Sequence, residues 1–304
     1  MQEMKTILAV GSIAIDTIQT PNGNRDNILG GSATYFALAA GIFAPVKLVG
    51  VVGNDYPKEG WKLFKSHNIN IDNVQVVDGK TFRWGAKYSH DYSSRDTLFT
   101  ELGVFESFSP VIRRKDCQSP LVFLGNILPD LQLEVAQSMT SVEYIVSDTM
   151  NLWIDLCPNK VKEVLAVSHI ILINHEEAIQ FTGIKDIPGA ACMLHSSGPE
   201  VVVIKMGANG AYLSYNERAH YFPVFPVERV VDPTGAGDSF AGGFMGCLAR
   251  MEKPDFIEAV LAGSAVASFG VENFGPESLL NVTRKSLDGR IASIRGRLFA
   301  AEDA

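Results

Sequence analysis

Hydrophobic residues fall into short runs along this chain, and these runs predict buried strands. Most of the runs lack the alternation of apolar and polar positions that a half-exposed strand shows. Continuous apolar runs are typical of a parallel sheet that helices cover on both faces. The predicted strands span residues 6–10, 46–52, 121–124, 144–147, 170–173 and 201–205.

Helical patterns separate these strands and continue toward the C-terminus. They span residues 32–41, 60–67, 131–139, 160–166, 176–182 and 190–195, followed by 236–251, 254–269 and 276–298. An alternation of strands and helices predicts βαβ units in a doubly wound, mostly parallel α/β sheet flanked by helices.

Two segments interrupt this alternation and predict strands outside the main sheet. Residues 16–29 contain the turn sequence PNGN at 21–24, and residues 81–99 alternate and are rich in aromatic side chains. We therefore predict one domain, 1–304, with a small β lid inserted at approximately 16–30 and 80–100. The ordinary role for Phe82, Trp84 and Tyr88 is packing within the lid. The alternative is that their rings form a platform on which a nucleobase of the substrate stacks.

Composition and charge exclude several classes of function. The chain has 304 residues, 46% hydrophobic and 20% charged, with a formal net charge of -8. Such an acidic chain is a poor general ligand for nucleic acid or anionic membranes. No apolar run approaches the roughly 20 residues that span a bilayer. Gly11 and Asp16 interrupt the first run, which predicts a strand, not a signal peptide, and a cytoplasmic location.

The segment with the strongest chemical signal is DPTGAGD at 232–238, which precedes an apolar helical pattern. Gly235 and Gly237 lack Cβ atoms, so neighbouring backbone N–H groups can turn toward one point. That point lies at a helix N-terminus, where free N–H groups and the helix dipole favour an anion. Asp238 can serve there as a base for an attacking hydroxyl, and a helix cap is the alternative role.

The DPTGAGD segment closely resembles the C-terminal signature of PfkB-family carbohydrate kinases, which include ribokinase, fructokinases and adenosine kinases. LGGSA at 29–33 resembles the N-terminal double-glycine signature of that family, and the two matches fit across essentially the whole chain. The resemblance implies a ribokinase-like fold with a β lid. It also implies an ATP-dependent, Mg²⁺-requiring kinase that phosphorylates a hydroxyl of a small sugar or nucleoside.

The resemblance also implies roles for individual residues around the acceptor. Asp238 is the expected catalytic base, and the amides of Gly235, Ala236 and Gly237 are the expected anion hole. Substrate binding falls to three residues near the N-terminus, Asp16, Gly30 and Gly31. The family often has asparagine where this chain has Tyr35, which departs from ribokinase-like sugar recognition.

On the nucleotide side, residues 174–177 resemble an Asn-x-x-Glu element that holds magnesium and phosphates through water. Asn174 and Glu177 are therefore the expected metal site, although an asparagine helix cap accounts for the same pattern. The other expected nucleotide-binding residues are Lys205, Gly207, Gly210 and Thr234. A solvated lysine at a strand end is the alternative for Lys205. A monovalent cation such as K⁺ near Asp232 and the Thr234 carbonyl is a further expectation from some relatives.

Several functions compete with a nucleoside kinase. A free-sugar kinase of the fructose, ribose or ketodeoxygluconate type fits the same chemistry, although Tyr35 and the aromatic lid favour a nucleoside. A sensor that binds sugar or nucleotide without catalysis is the rival from another class. A dinucleotide oxidoreductase needs G-x-G-x-x-G after the first strand, where only Gly11 is present. The sequence leaves the oligomeric state open, and an exposed lid edge would be a natural surface for a homodimer.

Overall fold

Two sheets organise the chain in a computed structural model, which describes residues 4–302. The ends of the predicted domain, 1–3 and 303–304, lie outside the described residues. The larger sheet has nine strands in the order β13-β12-β11-β10-β9-β8-β1-β4-β5. These strands are β1 Ile7–Val10, β4 Val46–Gly53, β5 Ile69–Val77, β8 Leu121–Leu124, β9 Tyr144–Ser147, β10 Ile170–Asn174, β11 Val201–Lys205, β12 Ala211–Tyr215 and β13 Arg218–Phe222.

Seven neighbouring strands of the large sheet, β11 to β5 in spatial order, run parallel, and β12 and β13 extend it as an antiparallel edge. The prediction of a mostly parallel sheet is confirmed. The sequence reading omitted β5, β12 and β13, because partly polar runs at sheet edges lack the continuous apolar signal of a central strand.

Helices cover both faces of the large sheet. They are α1 Ser32–Gly41, α2 Lys58–Ser66, α3 Pro129–Ser138, α4 Asn151–Leu156, α5 Pro158–Val167, α6 His175–Thr182, α7 Ile187–Ser196, α8 Ala236–Leu248, α9 Phe256–Gly270, α10 Glu277–Leu280 and α11 Arg284–Glu302. The sequence reading omitted the short α4 and joined α10 to α11. None of the helices within residues 4–302 is long and apolar enough to cross a membrane.

Alternate residues of each central strand pack on opposite layers, which explains why those strands are apolar throughout. In β1, Ile7 and Ala9 join the core cluster that contains α1, α8 and α9. Leu8 and Val10 of the same strand join a second cluster on the other face. All four side chains are fully buried, so a polar substitution at any of them loses burial on one side of the sheet.

The smaller sheet, called the lid below, has four strands in the order β3-β2-β6-β7. They are β2 Ala14–Thr20, β3 Gly23–Gly30, β6 Phe82–Tyr88 and β7 Arg95–Glu101. β2 and β3 form an antiparallel hairpin, and β6 pairs parallel with β2 and antiparallel with β7. The chain therefore leaves the large sheet twice, after β1 and after β5, to build the lid that the sequence predicts.

Candidate active site

The carboxyl ends of β9, β10 and β11 bring three polar side chains together, because these neighbouring parallel strands end at one edge of the sheet. Asn174 and Lys205 are direct register partners, and the Lys205 Nζ lies 2.9 Å from the Asp148 Oδ2. Asp148 is a site residue that the sequence reading missed. The signal was present, since Asp148 directly follows the predicted strand 144–147.

Asn174 and Glu177 form a capping box at the start of α6. The Asn174 Oδ1 accepts a hydrogen bond from the Glu177 N–H at 2.8 Å, and the Glu177 Oε2 accepts one from the Asn174 N–H at 3.1 Å. The structural alternative for Asn174 is therefore present. Burial and the nearby Asp148 raise the pKa of Glu177 to about 8, against the opposing effect of Lys205.

A tight turn at Gly235 starts α8, and its geometry requires glycine. Gly235 has φ 72°, in the left-handed region, and a Cβ there would lie 2.3 Å from the Tyr35 Cγ. The Tyr35 ring thus packs directly against the turn and is only 1% exposed. Burial, with Asp232 and Asp16 nearby, raises its pKa well above the ordinary tyrosine value.

Asp232 holds the backbone of this turn in place. Its Oδ1 accepts a hydrogen bond from the Thr234 N–H at 2.9 Å, and its Oδ2 accepts one from the Gly275 N–H at 3.1 Å. The Ala236 N–H donates to the Pro233 carbonyl at 3.2 Å, so this amide already serves the turn. Of the three predicted anion-binding amides, those of Gly235 and Gly237 are the better candidates for a phosphate.

Asp238 lies in the first turn of α8, close to Lys205 at the end of β11. A Cβ at the preceding Gly237 would lie 3.2 Å from the Lys205 Nζ, which places that amine at the helix start. Burial and the repulsion of Asp148 raise the pKa of Asp238 to about 7, while Lys205 opposes them. A carboxyl with this pKa exchanges a proton near neutral pH, which suits a general base.

Asp16 lies deep on the inner face of the lid, beside the double glycine. A Cβ at Gly30 would lie 1.9 Å from the Asp16 Oδ2, and one at Gly31 would lie 2.3 Å from the Ser12 carbonyl oxygen. Both glycines are thus required by close approach. Burial, together with repulsion from Asp232 and Asp238, raises the pKa of Asp16 to about 8. A hydrogen bond from the Gly31 backbone acts in the opposite direction and lowers this pKa. Among the described residues, no hydrogen-bond partner faces the Asp16 Oδ1.

The lid aromatic residues divide between packing and the site. Phe82 stacks on Phe105 at 5.2 Å between ring centroids, which is packing. Trp84 is the register partner of Asp16, so both side chains face the inner side of the lid. The Tyr88 hydroxyl lies 2.9 Å from the Thr234 Oγ1, which joins the lid to the DPTGAGD turn.

Gly207 begins a short 3₁₀ turn, Gly207–Asn209, after β11, and Gly210 follows that turn. Gly207 has φ 56°, and no atom lies within 4 Å of a Cβ built there. Gly210 has φ 94°, and its Cβ would lie 1.8 Å from the Phe222 carbonyl oxygen. Gly210 is thus explained by packing against β13, whereas open space beside Gly207 is compatible with a ligand.

Comparisons with known proteins agree with this arrangement. Residues 130–282 match the pfkB family carbohydrate kinase domain. The chain is 32% identical over 253 residues to cytidine kinase from Thermococcus kodakarensis, an alignment that covers 81% of this chain and 90% of the relative. The chain belongs to the pfkB family of carbohydrate kinases.

Other pfkB-type relatives and a solved structure extend the match to nearly the whole chain. Ribokinase from Haemophilus influenzae is 25% identical over 308 residues, covering 93% of this chain and 98% of the relative. The crystal structure of Methanocaldococcus jannaschii nucleoside kinase superposes with a TM-score of 0.78 at 20% identity, covering 96% and 100% of the two chains. The superposition on the nucleoside kinase structure shows that the two chains share a fold.

Membership in the pfkB family determines the class of reaction. The chain is a sugar or nucleoside kinase, a phosphotransferase with an alcohol group as acceptor. ATP is the donor of the phosphoryl group in this family, with Mg²⁺ generally required.

Proposed function

We propose that this pfkB kinase phosphorylates a nucleoside, with Asp238 as the base. The observation that carries the proposal is a pair of carboxyls on two sides of one site, Asp16 buried and Asp238 half-buried. Asp16 lies under the lid with Oδ1 unpartnered, and Asp238 lies at the start of α8 with a pKa of about 7. Asp16 would accept hydrogen bonds from sugar hydroxyls, while Asp238 would accept the proton of the reacting hydroxyl.

The reaction follows from the position of these groups. The acceptor oxygen attacks the γ-phosphorus of ATP and gives its proton to Asp238. The bond between the γ-phosphorus and its bridging oxygen breaks, and ADP leaves. The amides of Gly235 and Gly237 and the Lys205 ammonium stabilise the negative charge on the γ-phosphoryl oxygens, because these donors are fixed before the reaction starts.

Asn174 and Glu177 at the start of α6 offer oxygen atoms of the kind that Mg²⁺ prefers, although they are few. Within residues 4–302 no group of three or more His, Cys, Asp or Glu side chains could hold a metal. Mg²⁺ in kinases usually keeps several waters and binds the substrate phosphates, so one or two carboxyls suffice. Glu177 would hold it through water, with Asn174 fixing Glu177 in the capping box. When bound, the ion neutralises phosphate charge.

Support for a nucleoside over a free sugar comes from the lid and from the relatives. The inner face of the lid near Asp16 carries Trp84 and Tyr88 beside Ile18 and Ala86, and Phe274 of the large sheet domain packs against this face. An apolar, aromatic surface beside the sugar site suits the nucleobase of a nucleoside better than it suits the polar hydroxyls of a free sugar. The 32% identical relative is a cytidine kinase, and two more relatives, 27% and 21% identical, are nucleoside kinases.

A turnover screen tests this assignment. The protein is supplied with Mg²⁺-ATP and, separately, cytidine, inosine, adenosine, ribose, fructose or ketodeoxygluconate, and ADP formation is measured. We expect kcat/KM for at least one nucleoside to exceed that for every free sugar. Turnover of free sugars alone would remove the nucleoside assignment. ATP and acceptor binding without any turnover would instead support a sensor.

A further inference from the structure

Arg95 begins β7 on the inner face of the lid. It is the register partner of Tyr88 in β6, so the two side chains project from the same face. The Tyr88 hydroxyl reaches the Thr234 Oγ1 at 2.9 Å, so this end of the lid touches the DPTGAGD turn. Arg95 therefore lies where the lid meets the start of α8.

A neighbouring ring orients the Arg95 guanidinium. Its Cζ lies 5.0 Å from the centroid of Trp84, a distance at which a cation is attracted to an aromatic face. Among the side chains that the structure describes, no carboxyl forms an ion pair with Arg95. The guanidinium is thus held in place by stacking, and its charge stays available for an anion.

The charges around α8 favour a further cation near the phosphates. Three carboxyls, Asp148, Glu177 and Asp238, surround a single lysine, and Lys205 is already paired with Asp148 at 2.9 Å. The triphosphate of ATP brings more negative charge to the same place. Burial and Asp148 raise the pKa of Asp238, and the two cations that oppose them are Lys205 and Arg95. The charge of Arg95 thus acts at the expected base.

We propose that Arg95 is a catalytic residue that binds the γ-phosphoryl oxygens of ATP from the lid side. The Gly235 and Gly237 amides and Lys205 bind the same group from the opposite side. Arg95 donates hydrogen bonds only; the proton still goes to Asp238 and the leaving group is still ADP. The proposal rests on phosphoryl transfer at this site and not on which acceptor is used.

The test compares Arg95→Met and Arg95→Lys with the wild-type protein. Measurements are kcat, both KM values, and the affinities for Mg²⁺-ADP with and without aluminium fluoride, which mimics the transferring phosphoryl group. We expect Arg95→Met to lower kcat about 100-fold or more. Its affinity for the fluoride complex should fall by a similar factor, with ADP affinity changed less than threefold. Arg95→Lys should retain an intermediate kcat.

Arg83→Met is the matched control. Arg83 lies in β6 next to Trp84 but on the outer face, where its guanidinium donates to the Asn27 Oδ1 at 3.1 Å. We expect this variant to keep wild-type kcat and fluoride-complex affinity. Thermal unfolding of all three variants checks that the lid folds.

Several outcomes would overturn the role of Arg95. These are a kcat for Arg95→Met within threefold of wild type, an equal loss of ADP and fluoride-complex affinity, or an equal loss in Arg83→Met. If Arg95→Met does not fold, a fluoride-complex affinity of Arg95→Lys equal to wild type decides against the proposal. The kinetic comparison uses whichever acceptor the wild-type protein phosphorylates, so a failed nucleoside assignment leaves it intact. The binding comparison needs no acceptor.

Discussion

At the residue scale, burial sets the chemistry of the candidate base. Asp238 is half-buried at the helix start and stands near Asp148, and this partial burial with the repulsion of Asp148 raises its pKa to about 7. A carboxylate that only caps a helix is usually exposed to solvent, where its charge is well hydrated. Burial penalises the charged form of Asp238, so a purely capping role would cost free energy here. The raised pKa therefore favours a role in proton transfer over a purely structural one.

The pH dependence of turnover follows from this pKa. The base must be deprotonated to accept a proton, so the active fraction falls as pH drops below about 7. We expect kcat/KM to decrease at least tenfold per pH unit between 6 and 5. Because Asp16, with a pKa of about 8, must also be deprotonated to accept sugar hydroxyls fully, kcat/KM should keep rising until about pH 9. Asp238→Asn should fold normally, bind ATP and lose kcat by about 1000-fold or more.

Steady-state kinetics from pH 5 to 9, with nucleotide binding measured in parallel, checks both statements. A rate that stays constant between pH 5 and 8, or an Asp238→Asn variant with near wild-type kcat, would contradict the assignment of the base.

At the element scale, the start of α8 depends on a glycine that no other residue can replace. Gly235 combines a left-handed backbone with contact against the Tyr35 ring. Gly183, which ends α6, has the same φ of 72° but no atom within 4 Å of a built Cβ. Substitutions at these two glycines therefore distinguish the cost of backbone strain, present at both, from the cost of steric overlap, present only at Gly235.

Gly235→Ala and Gly183→Ala measure these two costs. Both variants pay roughly 1–2 kcal/mol for the left-handed conformation. Only Gly235→Ala also pushes a methyl group into a fully buried ring, so we expect a clearly larger loss of unfolding free energy and no measurable turnover. Gly183→Ala should keep its activity. Chemical denaturation of both variants gives the comparison, and equal losses would show that the Tyr35 contact costs nothing.

At the scale of the whole molecule, a small set of contacts ties the lid to the large sheet domain. The Tyr88 hydroxyl meets Thr234, and the Asn22 Nδ2 donates to the Val230 carbonyl at 2.6 Å. Phe274 packs with Ile18 and Ala86 of the lid. These contacts converge on the segment before α8, so the position of the lid and the shape of the anion site are coupled.

Tyr88→Phe removes the hydroxyl contact and keeps the ring. A net hydrogen bond contributes about 0.5–1.5 kcal/mol, so the lid should open more often while the large sheet stays intact. We expect faster hydrogen exchange in β6 and β7 and a raised KM for the acceptor. Tyr221→Phe, at an exposed tyrosine in β13, is the control. Unchanged exchange in Tyr88→Phe would show that the hydroxyl does not hold the lid.

The sequence by itself determined the architecture, because buried parallel strands are apolar throughout and the turns need glycine. Six central strands and the DPTGAGD turn were predicted within a few residues for that reason. The antiparallel strands β12 and β13, at one end of the sheet, carry a mixed pattern, which explains their omission.

Only the tertiary structure decided which side chains meet. The Asp148–Lys205 pair joins residues 57 positions apart, and the contact of Tyr35 with Gly235 joins residues from different ends of the chain. Such contacts depend on strand order and helix packing, which local sequence patterns do not encode. The same is true of the raised pKa of Asp238, since desolvation is a property of the folded surroundings and not of the residue.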